Sequence, residues 1–141
     1  MAISYDDGKD GGGVQSGVRK IIIDFTTDDT TGAVSGTTRK ISGELVKIVT
    51  DPGATAPTDN WDVVLTDENG LNPLANVQNS AALIARDTAN TEETYLFLLN
   101  ADSTPIGIAL YPIVCGVLTV AVANAGNSKT GRIVIYYKPL A

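Results

Sequence analysis

The sequence contains no histidine, which removes at once the side chain most used as a general base and the commonest metal ligand. Its only cysteine is Cys115, so an intramolecular disulfide is impossible and a multi-cysteine zinc site is excluded. Cys115 sits in the apolar stretch Ile113-Val114-Cys115-Gly116-Val117, and is expected to be a buried, inert thiol on a chain made in a reducing cytosol. Serine triads of the usual kind also need a histidine, and no Gly-x-Ser-x-Gly elbow occurs. Cations are scarce and scattered: 10 Lys+Arg stand against 16 Asp+Glu, a formal charge of −6. Phosphate neutralisation needs clustered Lys and Arg, so no nucleic-acid partner is expected. No apolar run approaches the ~18 residues of a membrane span, and Met1 to Asp10 lacks the basic start and apolar stretch of a secretory signal. No membrane, cofactor or metal is therefore expected, and the chain reads as non-catalytic.

What is present is alternation. At 141 residues the chain is one ordinary domain, long enough to remove roughly two-thirds of its extended surface from water. From Val18 onward apolar and β-branched residues recur with period two. Ile21, Ile23 and Phe25 share one face, with Lys20, Ile22, Asp24 and Thr26 on the other. Arg39 to Thr50 reads as a second strand, bent or bulged at Gly43, with Leu45, Lys47 and Val49 opposite Val46 and Ile48. Trp61, Val63 and Leu65 alternate with Asp62, Val64 and Thr66, and Asp67-Glu68-Asn69-Gly70 supplies an Asn-Gly hairpin turn into Leu71. Trp61 is in phase with Val63 and Leu65 and so belongs to the core.

Further strands are predicted at Glu93 to Leu99, Ile106 to Cys115, Val117 to Asn124 and Arg132 to Lys138, with 75–90 a loop holding one brief element. Tyr136 and Tyr137 point to opposite faces, so at most one lines the core. Seven or eight short strands without a long helix imply an all-β antiparallel sandwich, jelly-roll or immunoglobulin-like. No repeat of 20 to 50 residues suggests a solenoid.

Two segments are expected outside the sheets. Residues 1–17 hold three aspartates and Gly11-Gly12-Gly13, too little apolar surface to offset ordering, and read as a flexible arm. It is either a free tail or a segment that orders on a neighbour. The domain proper is then 18–141. Thr27 to Thr38 is rich in turn-forming Asp, Thr, Ser and Gly and reads as a long exposed loop.

Three chemical near-matches fail on context. Gly126-Asn127-Ser128-Lys129-Thr130-Gly131 has Lys-Thr between glycines, but a phosphate loop opens a helix and a β-rich segment follows here. Lys129-Thr130-Gly131 matches one element of penicillin-binding enzymes without the Ser-x-x-Lys companion. Acidic pairs at Asp28-Asp29 and Asp67-Glu68, and the arm's Asp6, Asp7 and Asp10, lack the alternation of a calcium loop and read as solvated turn residues.

Gly32-Ala33-Val34-Ser35-Gly36-Thr37-Thr38, Ile41-Ser42-Gly43-Glu44, Asp51-Pro52-Gly53, Ala56 to Val63 and Ala125 to Gly131, taken together, give Val18 to Lys138 its family likeness. The chain resembles small virion structural proteins of tailed bacteriophages, of the sort found among head genes. The resemblance implies a capsid decoration, or cement, protein made in the host cytoplasm and placed on the capsid surface. It would bind the major capsid protein and associate with itself, most simply as a trimer. No active-site residue comes with it. The contact residues expected are Tyr5 and Asp10 in the arm, Thr27, Asp28, Thr31, Val34 and Thr37 in the loop, and Tyr136. Rival expectations are a tail, fibre or head-to-tail connector subunit, and a carbohydrate-binding module. The single Trp in core phase disfavours the last.

Overall fold

A computed structural model describes residues 1–7, 17–75, 86–96 and 111–140. Nine strands are present among them: β1 Ala2–Asp6, β2 Arg19–Thr26, β3 Val34–Thr37, β4 Ile41–Pro52, β5 Asp62–Asp67, β6 Glu92–Tyr95, β7 Ile113–Gly116, β8 Leu118–Ala123 and β9 Thr130–Pro139. They form two antiparallel sheets, as the alternation requires. The larger runs β1-β2-β9-β4-β6, with β7 also on β4; the smaller runs β3-β8-β5. Ile21, Ile23, Phe25, Ile133, Ile135 and Tyr137 from the larger sheet share one apolar cluster with Trp61, Val63, Leu65, Leu118, Val120 and Val122 from the smaller. Phe25 and Trp61 meet across it with ring centroids 5.5 Å apart. No helix among the described residues is long and apolar enough to cross a membrane.

The inward sets expected for β2, β5, β8 and β9 are those observed. β4 differs. Its register against β9 shifts between Leu45 and Lys47, so the bulge is at Val46 rather than Gly43. An unpaired residue reverses the parity of the pleat: Ile41, Gly43 and Leu45 face the core before it, and Ile48 and Thr50 after it. Leu45 and Ile48 therefore share a side, which strict alternation forbids. Gly43 serves close approach, since a Cβ there would stand 2.6 Å from the Lys138 carbonyl oxygen and 2.9 Å from the Tyr137 ring.

β6 and β7 lie end to end along β4, β6 against Lys47 to Thr50 and β7 against Ile41 to Glu44. Leu96 N–H donates to the Val46 carbonyl (2.9 Å), and the Pro112 carbonyl accepts from Leu45 N–H (2.9 Å). One strand position is thus filled by two segments that meet at the bulge. The predicted strands over 93–99 and 106–115 survive as these two pieces, and 97–110 lie outside the described residues.

Four other expectations are corrected. Ala2–Asp6 is a strand, paired with β2 through Ile3↔Ile23 and Tyr5↔Ile21, because Ile3 and Tyr5 add an apolar side that packs on the core. The rest of the supposed arm, with Asp10, lies outside the described residues apart from Asp7 and Gly17. The segment 27–38 contains β3 and is not a free loop. Its Val34 packs on the core, while Met1 lies over Gly36. The Asp67 turn closes, its carboxylate accepting from Asn69 and Leu71 N–H at 2.9 and 2.8 Å, but residues 71–75 form a second turn and no returning strand. Cys115 is exposed: it alternates with buried Val114, and the pleat outweighs the apolar neighbours.

Candidate functional site

Rows of side chains cross the outer face of the larger sheet, and their register is fixed by three adjacent strands. β2 presents Lys20, Ile22 and Asp24; β9 presents Tyr136, Val134 and Arg132; β4, beyond its bulge, presents Lys47, Val49 and Asp51. Lys20 and Lys47 flank Tyr136, Ile22 and Val49 flank Val134, and Asp24 and Asp51 flank Arg132. The middle row is apolar, with charged or aromatic rows on either side.

Nearly every charge on this face is matched sideways. Arg132 Nε and Nη2 donate to the two Asp24 carboxylate oxygens at 2.6 and 3.1 Å. Lys47 Nζ is 3.0 Å from Glu93 Oε1 and sits 4.6 and 5.4 Å from the ring centres of Tyr136 and Tyr95. Lys20 Nζ is 3.7 Å from Asp6 and 5.7 Å from the Tyr136 ring centre. Asp51 accepts from the Thr91 hydroxyl at 2.7 Å. The Glu93 hydrogen bond holds the Lys47 ammonium above its ordinary pKa, against the opposing effect of desolvation. Exposed pairs of this kind are worth about 0–1 kcal/mol each. Their consequence is a face with little net field and little charge left to desolvate when another protein covers it.

Beyond these rows the same face carries apolar side chains in water. Ile113 on β7 is 64% exposed and Tyr95 on β6 is 47% exposed. Apolar and aromatic side chains ringed by paired charges are the composition of a protein-docking patch.

The Arg132 hydrogen bond, ahead of the opposing desolvation, lowers the Asp24 pKa. A depressed carboxylate contributes stability that is present above its unfolded value, about 3.9, and is lost as pH falls through the lower folded value. The Asp24 carboxyl carbon should therefore titrate below about pH 3.9 by NMR, and Arg132→Met should return it to the ordinary range. A midpoint unchanged by Arg132→Met would disprove the assignment.

The other expected contact residues among those described fall in two places, and most are occupied. The Tyr5 hydroxyl accepts from Arg39 N–H at 2.6 Å, and the Arg39 guanidinium lies 4.1 Å from the ring centre while pairing with Asp7. Tyr5 thus fastens β1 to the turn before β4. Tyr5→Phe should remove about 1 kcal/mol and raise amide exchange across β1 about fivefold, with the central strands unchanged; uniform protection in both proteins would contradict it. Thr27 is buried, its hydroxyl donating to the Gly126 carbonyl at 2.6 Å and accepting from Lys129 N–H at 2.8 Å. Asp28 is exposed but accepts from Thr30 and Thr31 N–H at 2.8 Å each, which depresses its pKa. Thr31 and Thr37 are exposed, and Val34 is half-buried. Of the seven that lie among the described residues, Tyr136 alone is on the outer sheet face, half-exposed while Tyr137 is buried.

Elsewhere an open cleft of about 610 Å³ is lined by Arg19, Arg39, Lys40, Ile41, Tyr137 and Leu140 among others. Its lining holds no carboxylate and no thiol, and the Arg39 guanidinium there is already paired with Asp7. No three Cys, Asp or Glu side chains gather into a metal-holding group among the described residues.

The fold is all-β, two antiparallel sheets about one core. No family model and no curated protein matches the chain. Solved structures with a similar course include FLHE, at 10% identity and a TM-score of 0.39, covering 87% of this chain and 99% of that one. A chain of the cyanophage Pam1 capsid asymmetric unit has 14% identity and a TM-score of 0.41, covering 87% of this chain and 84% of that one. Likenesses at this level carry no argument about activity or partners.

Proposed function

We propose that the chain is a non-catalytic structural subunit of a bacteriophage virion, working by attachment to other protein subunits as a capsid decoration protein does. The observation that carries this reading is the outer sheet face, whose charges are neutralised laterally around an apolar row and whose margin exposes Ile113 and Tyr95. Two further observations support it. The resemblance of the turn and strand-edge motifs is to phage head proteins. The order β2-β9-β4-β7 against β3-β8-β5 supports reading the sandwich as a jelly roll, an architecture used in viral capsid and lectin domains.

Mechanistically, a protein that binds only the assembled shell shifts the equilibrium against disassembly by mass action. Repetition over the lattice multiplies a modest contact energy. Electron microscopy of particles carrying the labelled chain tests this: density dispersed regularly over the head is expected. Density confined to one vertex or the tail would replace decoration with a connector, tail or fibre role, and absence from particles would end the virion reading.

A further inference from the structure

We infer that the outer face of the larger sheet takes a second copy of this chain, face to face about a two-fold axis lying along the Ile22–Val134–Val49 row. The inference rests on reading this face as protein-docking and names its occupant. Such a rotation leaves the middle row stacked on itself and carries each residue on one side of the row over the residue on the other side of the same strand. On β2 that places Lys20 opposite the partner's Asp24. On β4 it places Lys47 opposite the partner's Asp51, and on β9 it places the Tyr136 ring opposite the partner's Arg132. Register fixes these rows, since Lys20, Tyr136 and Lys47 are cross-strand neighbours, as are Asp24, Arg132 and Asp51.

On β2, β9 and β4 each outward position next to the axis thus meets an opposite charge or, for Tyr136, a cation that its ring attracts, while Glu93, which pairs with Val49 and so falls on the axis, keeps its carboxylate turned to Lys47 at 3.0 Å. Isologous contacts require such self-complementarity, and it arises here on three adjacent strands. Sheets packed face to face stand about 10 Å apart, a gap that a lysine and an aspartate reaching from opposite sides close together. Their relative twist of about 30° matters least near the axis, where these nine side chains lie. The lateral partners Glu93, Asp6 and Arg132 need not be given up, because each exposed carboxylate and ammonium has further hydrogen-bonding capacity.

The contact is two-fold and so differs from the threefold association implied by the phage resemblance, which needs a heterologous surface. It also leaves the opposite, smaller sheet and the loop end free, so a dimer would present two footprints to a lattice.

Lys47→Asp and Asp51→Lys decide the matter on purified protein by light scattering and native mass spectrometry. The wild type should show a concentration-dependent two-copy mass. Each variant alone sets like charges face to face twice and should weaken the dimer at least about tenfold. An equimolar mixture of the two variants restores both opposite-charge contacts, and should form a heterodimer within a few-fold of wild-type affinity. If either variant loses its β-type circular dichroism, Lys20→Asp and Asp24→Lys repeat the test on β2. A wild type that stays monomeric, a trimer indifferent to all four changes, or a mixture no tighter than its components would overturn the inference. Particle localisation is read separately, so loss of the dimer leaves the virion reading standing, and absence from particles leaves the dimer standing.

Discussion

Trp61→Ala is expected to cost about 3–5 kcal/mol, the range for removing a large aromatic from a packed interior. Trp61 is fully buried immediately before β5, against Phe25 of the facing sheet, and so joins the two layers directly. Neither sheet can collapse fully into the space, because β2 and β5 are each held by hydrogen bonding to their own neighbours, β9 and β8. Since domains of this size are stable by about 5–15 kcal/mol, the variant should be marginal near body temperature. Urea unfolding followed by circular dichroism measures the difference, the variant having lost the only tryptophan fluorophore. A loss under about 1 kcal/mol would mean that Trp61 is not the inter-sheet contact described.

Gly43→Ala should be the second most damaging change, at about 1–3 kcal/mol for one methyl group. The added carbon would meet the Lys138 carbonyl at 2.6 Å. That obstacle is backbone, so β4 and β9 must separate where they pair. Gly17→Ala is the control, having nothing within 4 Å, and should be neutral or slightly stabilising through the unfolded chain. Equal midpoints for the two variants in thermal unfolding would remove the close-approach account of Gly43.

Which features could be read from the sequence follows from how far each depends on distant partners. β2, β5, β8 and β9 were legible because Ile21/Ile23/Phe25, Trp61/Val63/Leu65, Leu118/Val120/Val122 and Ile133/Ile135/Tyr137 each keep period two over a whole strand. β4 was half legible. Its bulge at Val46 depends on the pairing with β9, and the only local hint is that Leu45 and Ile48, three apart, are both large and apolar. β1 carried a usable signal in Ile3 and Tyr5, outweighed by the glycine and aspartate that follow. β3 carried almost none, since Val34 is its only large apolar residue and Met1 supplies the cover over Gly36.

At the candidate site, Tyr136 was found by alternation, but the face around it was not. Its rows exist only once β2, β9 and β4 are in register. The local pattern +, apolar, − in Lys20-Ile22-Asp24 and Lys47-Val49-Asp51 becomes meaningful only when the two strands are seen to flank β9. Cys115 reads as buried because its neighbours are apolar, whereas β7 shows the core a single side chain, Val114.

The place of β9 between β2 and β4 sets the order in which the molecule can be made. Asp24 and Arg132, paired side by side, are 108 residues apart along the chain. While it is being synthesised, the larger sheet has no centre: β2 and β4 emerge early and wait with open edges until β9 arrives. Pairings between such distant segments form slowly and leave strand edges unprotected meanwhile. A nascent chain stalled before Thr130 should therefore engage chaperones or aggregate, and the smaller sheet, whose strands are all complete by Ala123, is the part able to assemble first.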